Sequence, residues 1–224
     1  MRLYPVFLSL EGRRVLVAGA GKVGARKIAG LREAGAGDII VFDPCLSGPE
    51  REELETLPGV RAVARGVTEG DLAGNALVFA ATNDPAENRR IAALCRALGI
   101  FCNVADGPEA GSFHVPACAR VDELTAAFST GGRSPALAAR ISRDARDWRE
   151  RDYMPLLVLL RRLRPRVLAM DGGAAGHGEL LRSLVRSALG PALARKDMRA
   201  ARSILEALLP PSLHGDIEEF LDGL

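Results

Sequence analysis

Short apolar runs alternate with longer amphipathic stretches through the first half of the chain. The runs predict strands at Arg14–Ala18, Ile39–Phe42, Val60–Ala64, Ala76–Ala81 and Ile100–Val104. Helical spacing of Val23, Ile28 and Leu31 predicts a helix over Val23–Ala34, closed at Gly35, and Ile91, Leu94 and Leu98 predict another over Glu87–Leu98. Such alternation builds a parallel sheet covered by helices. After Gly107 the texture changes: Phe113–Cys118 and Leu124–Ser129 read as two further strands, followed by a turn through Thr130, Gly131, Gly132 and Arg133. Ser134 is expected to cap, and Pro135 to open, a helix that runs through Trp148. From Tyr153 the sequence is helical and leucine-rich, with breaks expected at Pro165, at a Gly172–Gly178 linker stretch and at Pro210-Pro211. Leu156, Leu157, Leu160 and Leu163 are spaced for a core or a dimer contact.

The first strand runs into Gly19, Gly21 and Gly24, a spacing that presents backbone amides to a dinucleotide pyrophosphate. Gly19 suits a tight strand-to-helix turn, Gly21 leaves room for the diphosphate, and Gly24 lets helix and sheet pack closely. Lys22 and Val23 open the helix whose N-terminus faces the anion. Asp43 ends the second strand nineteen positions after Gly24, where a carboxylate accepts from an adenosine ribose and repels a 2′-phosphate, so NAD is expected over NADP. The alternative for Asp43 is a cap on the turn begun by Pro44. Thr82 and Asn83, at the end of the fourth strand, are expected at the nicotinamide end or as a cap for the Pro85 helix.

Thirty basic residues against 28 acidic ones, a net charge of +2, give no electrostatic footprint for nucleic acid. Cys45, Cys95, Cys102 and Cys118 form no CxxC pair, so neither a metal cage nor a disulfide framework is indicated, and all four are expected to be small buried residues. No run reaches about 18 unbroken apolar residues. A cytoplasmic protein without membrane or metal is therefore expected, with 224 residues sufficient for an α/β domain and an appendage.

Four ordered motifs, YPVFLSLEGRRVLVAGAGKVGARK, AATNDPAEN, FCNVADGPEAGSFHVPA and STGGRSPALAARI, resemble the precorrin-2 dehydrogenase family, whose members form sirohydrochlorin on the route to siroheme. The resemblance implies NAD-dependent oxidation of precorrin-2 by a homodimer. The fold it implies is α/β, a Rossmann-type parallel sheet with a small dimerisation region and an α-helical C-terminal region. The corresponding domains are an NAD-binding domain at 1–112, a dimerisation and substrate-cleft region at 113–150 and a helical domain at 151–224. Asp106 matches the aspartate that the family uses catalytically, and the general-base role falls to it; spacing alone equally allows a turn former ahead of Gly107. Asn103 is expected to orient substrate or loop.

The family commonly carries a second acidic residue where Gly107 stands, which bears most on metal insertion, an additional ferrochelatase activity of some relatives. His114 is the only local helper for such a step, its alternative being a structural hydrogen-bonder. Thr130, Gly131, Gly132, Arg133 and Ser134 form the turn expected to receive substrate carboxylates, with Arg133 as the forked donor. Arg140, Arg143 and Arg146 continue along the next helix, as further donors or as a solvated face. The rival function is a non-catalytic NAD-sensing module, which needs the glycine loop and Asp43 but neither Asp106 nor the STGGRSP turn.

Overall fold

Five strands, β1 (Arg14–Ala18), β2 (Asp38–Phe42), β3 (Val60–Val63), β4 (Leu77–Ala80) and β5 (Phe101–Val104), pair in parallel in the order β3-β2-β1-β4-β5. This is the arrangement in a computed structural model that describes residues 3–122, 124–170 and 173–224. Helices α1 (Lys22–Glu33), α2 (Gly48–Glu55), α3 (Glu69–Leu72) and α4 (Pro85–Ala97) carry the crossovers. The expected Rossmann-type sheet is present, with element ends moved by three residues or fewer. Leu16, Ala18, Phe42 and Val78 pack beneath Ile91 and Cys95 of α4, while Val15, Val17, Ile39 and Val41 pack against Ile28 and Leu31 of α1. Both faces are thus covered, which explains why the strands read as unbroken apolar runs. Gly35, at φ +79°, stops α1: its N–H donates to the Arg32 carbonyl and that of Ala36 to Leu31.

Helices α2 and α3 are not expected from apolar periodicity: α2 buries no residue, and the four-residue α3 buries Leu72 alone. Helix α2 has no buried residue and stands on its Ser47–Glu50 cap. Helix α3 is four residues long, and its Asp71 accepts from the Thr68 amide and hydroxyl and, through both oxygens, from Arg65. The Arg65 guanidinium holds the Asp71 carboxyl far below the usual carboxylate range.

The chain divides into two compact units, Met1–Val115 and Pro116–Leu224. In the second, β6 (Ala117–Val121) pairs antiparallel with β7 (Leu124–Phe128), and α5 (Pro135–Asp152) packs across this hairpin. The strand expected at Phe113–Cys118 begins later because residues 112 and 113 are tied to β5. The Ser112 amide donates to the Cys102 carbonyl, and the Phe113 carbonyl accepts from Asn103. Pro116 then lacks an N–H for a ladder.

The helical remainder comprises α6 (Met154–Leu168), α7 (Gly173–Arg186), α8 (Leu189–Ala194), α9 (Met198–Leu208), a 3-10 segment Pro211–Asp216 and α10 (Ile217–Leu221). Pro165 does not break α6. It stands exposed in the last turn, where one lost hydrogen bond is outweighed by the full burial of Leu163 and Val167. The expected linker is also corrected: Asp171 and Gly172 lie outside the described residues, but Gly173–Gly178 is the start of α7, with His177 Nε2 donating to the Met170 carbonyl at 3.0 Å. Pro210-Pro211 does separate α9 from the 3-10 segment and α10. Leu156 and Leu163 enter the core with Leu159, Leu184, Leu205 and Phe220, and Leu157 and Leu160 are half-buried. Cys95 and Cys102 are buried as expected, whereas Cys45 is exposed in the turn after β2 and Cys118 is exposed in β6, next to the buried Ala119.

Arg162 closes this helical unit. Its Nη1 donates to the carbonyls of Phe220, at 3.1 Å, and Asp222, groups that the short α10 leaves without partners. Arg162→Met keeps the apolar stem and removes the donors, and is expected to lower stability by about 2 kcal/mol. Urea unfolding reads this directly, and an unchanged midpoint would mean that water caps these carbonyls equally well.

Candidate functional site

Gly19, Asp43, Thr82 and Asp106 follow the carboxyl ends of β1, β2, β4 and β5, and strand order reverses between β1 and β4; Asn103 lies within β5 and His114 beyond the loop that follows it. The Gly19 amide donates to the Phe42 carbonyl at 2.8 Å, and its φ of +99° belongs to the glycine-favouring region. A Cβ on Gly19 would collide with the Ala81 carbonyl, and one on Gly24 with the Gly19 carbonyl. A Cβ on Gly21, by contrast, would meet nothing within 4 Å. Two glycines are therefore demanded by packing and the third keeps open space before α1, whose N-cap Gly21 makes no side-chain cap bond. Lys22 and Val23 are exposed at that end. A pyrophosphate fits this cradle, facing free amides and the positive end of a twelve-residue helix.

Asp43 does more here than end a strand. Its Oδ2 accepts from the Ala20 amide and its Oδ1 from the Cys45 amide, both at 2.8 Å. The carboxylate thus pins the glycine loop to the turn after β2. The turn-cap alternative is realised, with Pro44 exposed in that turn, and each oxygen keeps a second lone pair for a ribose hydroxyl.

Past β4, the Thr82 amide and hydroxyl both donate to Asn88 Oδ1, at 3.0 and 2.7 Å, and the Thr82 hydroxyl accepts from the Asp84 amide at 3.2 Å. Asn83 is exposed beside it. Asp84 Oδ1 caps α4 through the Ala86 amide at 2.8 Å. Asn88 Nδ2 in turn donates to the Thr82 carbonyl at 3.1 Å and to Asp106 Oδ1 at 2.9 Å. Asp106 follows β5 and is itself exposed. Asn88 is the participant that the sequence reading missed. The available signal was a polar residue at position 88 in a face otherwise made by Ile91, Ala92 and Cys95, the buried spacing of α4.

Asn103 is 6% exposed and donates to the Phe113 carbonyl at 3.0 Å, which holds the 107–113 loop. A Cβ on Gly107 would lie 3.1 Å from Glu109 Oε1, so a carboxylate from two positions on lies beside the place of the family's second acidic residue. His114 Nε2 is buried without a hydrogen-bond partner. Lys27, on α1, has its ammonium 5.5 Å from the centroid of the Phe79 ring; burial, then Arg26, pushes its pKa below the ordinary lysine value.

The glycine turn lies in the second unit. Gly131 and Gly132 have φ of +63° and +82°. Thr130 Oγ1 accepts from the Ser134 amide at 3.0 Å, and Ser134 Oγ accepts from the Leu137 amide at 3.2 Å, which makes Ser134 the cap expected for α5. Arg133 is exposed on this turn, and Arg140 pairs with Asp144 along the helix. Among the described residues no group of three or more His, Cys, Asp or Glu is placed to hold a metal ion, and no helix is long and apolar enough to cross a membrane.

A family model described as putative NAD(P)-binding matches residues 6–117. The siroheme synthase of Ectopseudomonas mendocina is 41% identical over 169 residues, covering 75% of this chain and 35% of the relative. That of Azotobacter vinelandii is 36% identical over 167 residues, covering 75% and 36%. Among solved structures, "SirC, precorrin-2 dehydrogenase" aligns over 90% of this chain and 100% of its own, with 28% identity and a TM-score of 0.67. The chain spans roughly a third of the length of those two siroheme synthases.

Proposed function

The chain belongs to the NAD(P)-binding family of the precorrin-2 dehydrogenases and siroheme synthases, and on that premise we propose that it oxidises precorrin-2 to sirohydrochlorin with NAD. The observation that carries this reading is the shared rim: a dinucleotide cradle and an exposed carboxylate, Asp106, follow strands of one sheet and are linked through Thr82 and Asn88. The oxidation removes one hydride and one proton from the macrocycle. NAD, when bound, supplies the hydride acceptor. Gly19, Gly21, Gly24, Lys22 and Val23 hold its pyrophosphate, Asp43 with Pro44 the adenosine ribose, and Thr82 with Asn83 the nicotinamide end. Asp106 takes the proton and passes it to water, so the residue ends the cycle unprotonated.

Substrate recognition falls to the second unit. Arg133 is the forked donor for a peripheral carboxylate, helped by the Gly131 and Gly132 amides, with Thr130 and Ser134 shaping the turn. Asn103 and His114 serve on the substrate side of the Asp106 loop. The proposed enzyme is a cytoplasmic homodimer in which residues 113–150 form the subunit contact. Support comes from exposed Leu137 and Ile141 on α5, the helix that packs across the β6–β7 hairpin.

The test is anaerobic incubation of the protein with enzymatically generated precorrin-2 and NAD, followed by the visible spectrum. NAD-dependent formation of sirohydrochlorin with stoichiometric NADH is the expected result. NAD binding without turnover would overturn the proposal in favour of a sensing module.

A further inference from the structure

Asn88 is 0% exposed, and two of the groups around it, the Thr82 N–H and the Thr82 carbonyl, have a fixed hydrogen-bonding character. A backbone amide can only donate, so the Asn88 atom 3.0 Å from the Thr82 N–H must be the side-chain oxygen. The other atom is then the NH2, and its two hydrogens are directed at the two acceptors in reach, the Thr82 carbonyl and Asp106 Oδ1. The orientation of the amide is thereby set by the backbone of the strand end and does not depend on Asp106.

That one-way arrangement has a chemical consequence. Asp106 Oδ1 faces a permanent donor and stays an acceptor, since a proton placed there would confront an N–H and forfeit the bond. The oxygen left to receive a proton is Oδ2. We infer that Asn88 is a positioning residue for the dehydrogenation: it clamps Asp106 through Oδ1 and presents Oδ2 as the proton-accepting atom. The clamp is anchored on the Thr82 peptide, and the carbonyl just before it, that of Ala81, is the group against which Gly19 packs. One rigid chain of contacts therefore joins the glycine loop to the carboxylate. The register between the cofactor floor and the base is set by a helix residue that touches neither cofactor nor substrate.

This inference rests on Asp106 acting as the base in the proposed reaction, and its test separates the two. Wild type, Asn88→Ala, Asp106→Asn and the double variant are compared in the precorrin-2 assay, using excess enzyme over long times for the slow variants. Asn88→Ala is expected to lower kcat about tenfold, the worth of one hydrogen bond to a charged group, with KM and the NAD dissociation constant within about twofold. In the Asp106→Asn background the same change is expected to cost less than about twofold, because Asn88 acts only through the carboxylate. A purely structural residue would instead multiply its loss onto both backgrounds.

Removing the amide also strips Thr82 of the acceptor for its N–H and hydroxyl and of the donor to its carbonyl, so Asn88→Asp is measured as a second variant. It keeps the acceptor for the Thr82 amide and hydroxyl but loses the donors to the Thr82 carbonyl and to Asp106, and its kcat is expected to fall at least as far as that of Asn88→Ala. Near-wild-type turnover in Asn88→Asp, multiplied losses in the double variant, or a loss confined to NAD affinity would each overturn the positioning role. Wild-type turnover in Asp106→Asn would overturn the base assignment as well, and absence of turnover in the wild type would overturn the proposed reaction itself.

Discussion

Asp106→Asn is expected to lower kcat for precorrin-2 oxidation by about a thousandfold or more, with the NAD dissociation constant within about twofold of wild type. The size follows from the task. General-base catalysis contributes about 10² to 10⁴, and Asp106 is held for that role by the directed donor of Asn88. The amide that replaces it cannot take a proton, and it must also choose an orientation against Asn88. If its oxygen stays toward the Asn88 NH2, its own NH2 stands where the substrate proton has to arrive. Retention of NAD affinity is expected because the pyrophosphate cradle follows β1 whereas Asp106 follows β5, two strands along the sheet. Fluorescence titration with NADH and anaerobic formation of sirohydrochlorin give the two numbers independently. Turnover within about tenfold of wild type would remove Asp106 from the chemistry and leave proton transfer to water.

Strand and glycine signals were legible in this sequence for a definite reason. A parallel sheet buried on both faces writes itself as apolar runs, and a turn that packs against two carbonyls tolerates nothing larger than glycine at Gly19 and Gly24. Helices α2 and α3 were not legible, because α2 is held by a solvent-facing cap and α3, beyond the single buried Leu72, by a capping box and an ion pair, so neither has apolar periodicity. The same applies to Gly173–Gly178, where glycine-rich composition argues for a linker and only the packing of Leu180, Leu181 and Leu184 behind it recruits the segment into α7. Asp43 and Asn88 show where reading of the site stops. Spacing identifies a carboxylate after the second strand, but the amides it accepts from, Ala20 and Cys45, lie on two different loops and meet only after folding. Asn88 carries a single polar letter in an apolar helical face, and its meaning depends on Asp106, eighteen residues away.

Asp43 supplies the second large effect, and two substitutions separate its two jobs. Asp43→Ala removes acceptors for the Ala20 and Cys45 amides and is expected to weaken NAD about a hundredfold, from two charge-assisted bonds worth about 1.5 kcal/mol each. Asp43→Asn is nearly isosteric and still able to bond a ribose hydroxyl, yet it can satisfy only one of the two amides. Its NH2 must confront the other N–H, so either the Ala20 amide of the glycine loop or the Cys45 amide of the turn loses its acceptor. If loop anchoring dominates, the asparagine variant binds NAD nearly as weakly as the alanine variant, and that is the expected outcome. If ribose recognition dominates, the asparagine variant stays within about tenfold of wild type. Loss of the negative charge is common to both variants, so both are expected to move toward NADP relative to NAD, a 2′-phosphate no longer meeting a carboxylate. Titrating the three proteins with both cofactors measures anchoring and discrimination in one experiment. An unchanged NADP-to-NAD ratio in both variants would mean that the 2′ position lies away from Asp43, and the carboxylate would then serve the loop alone.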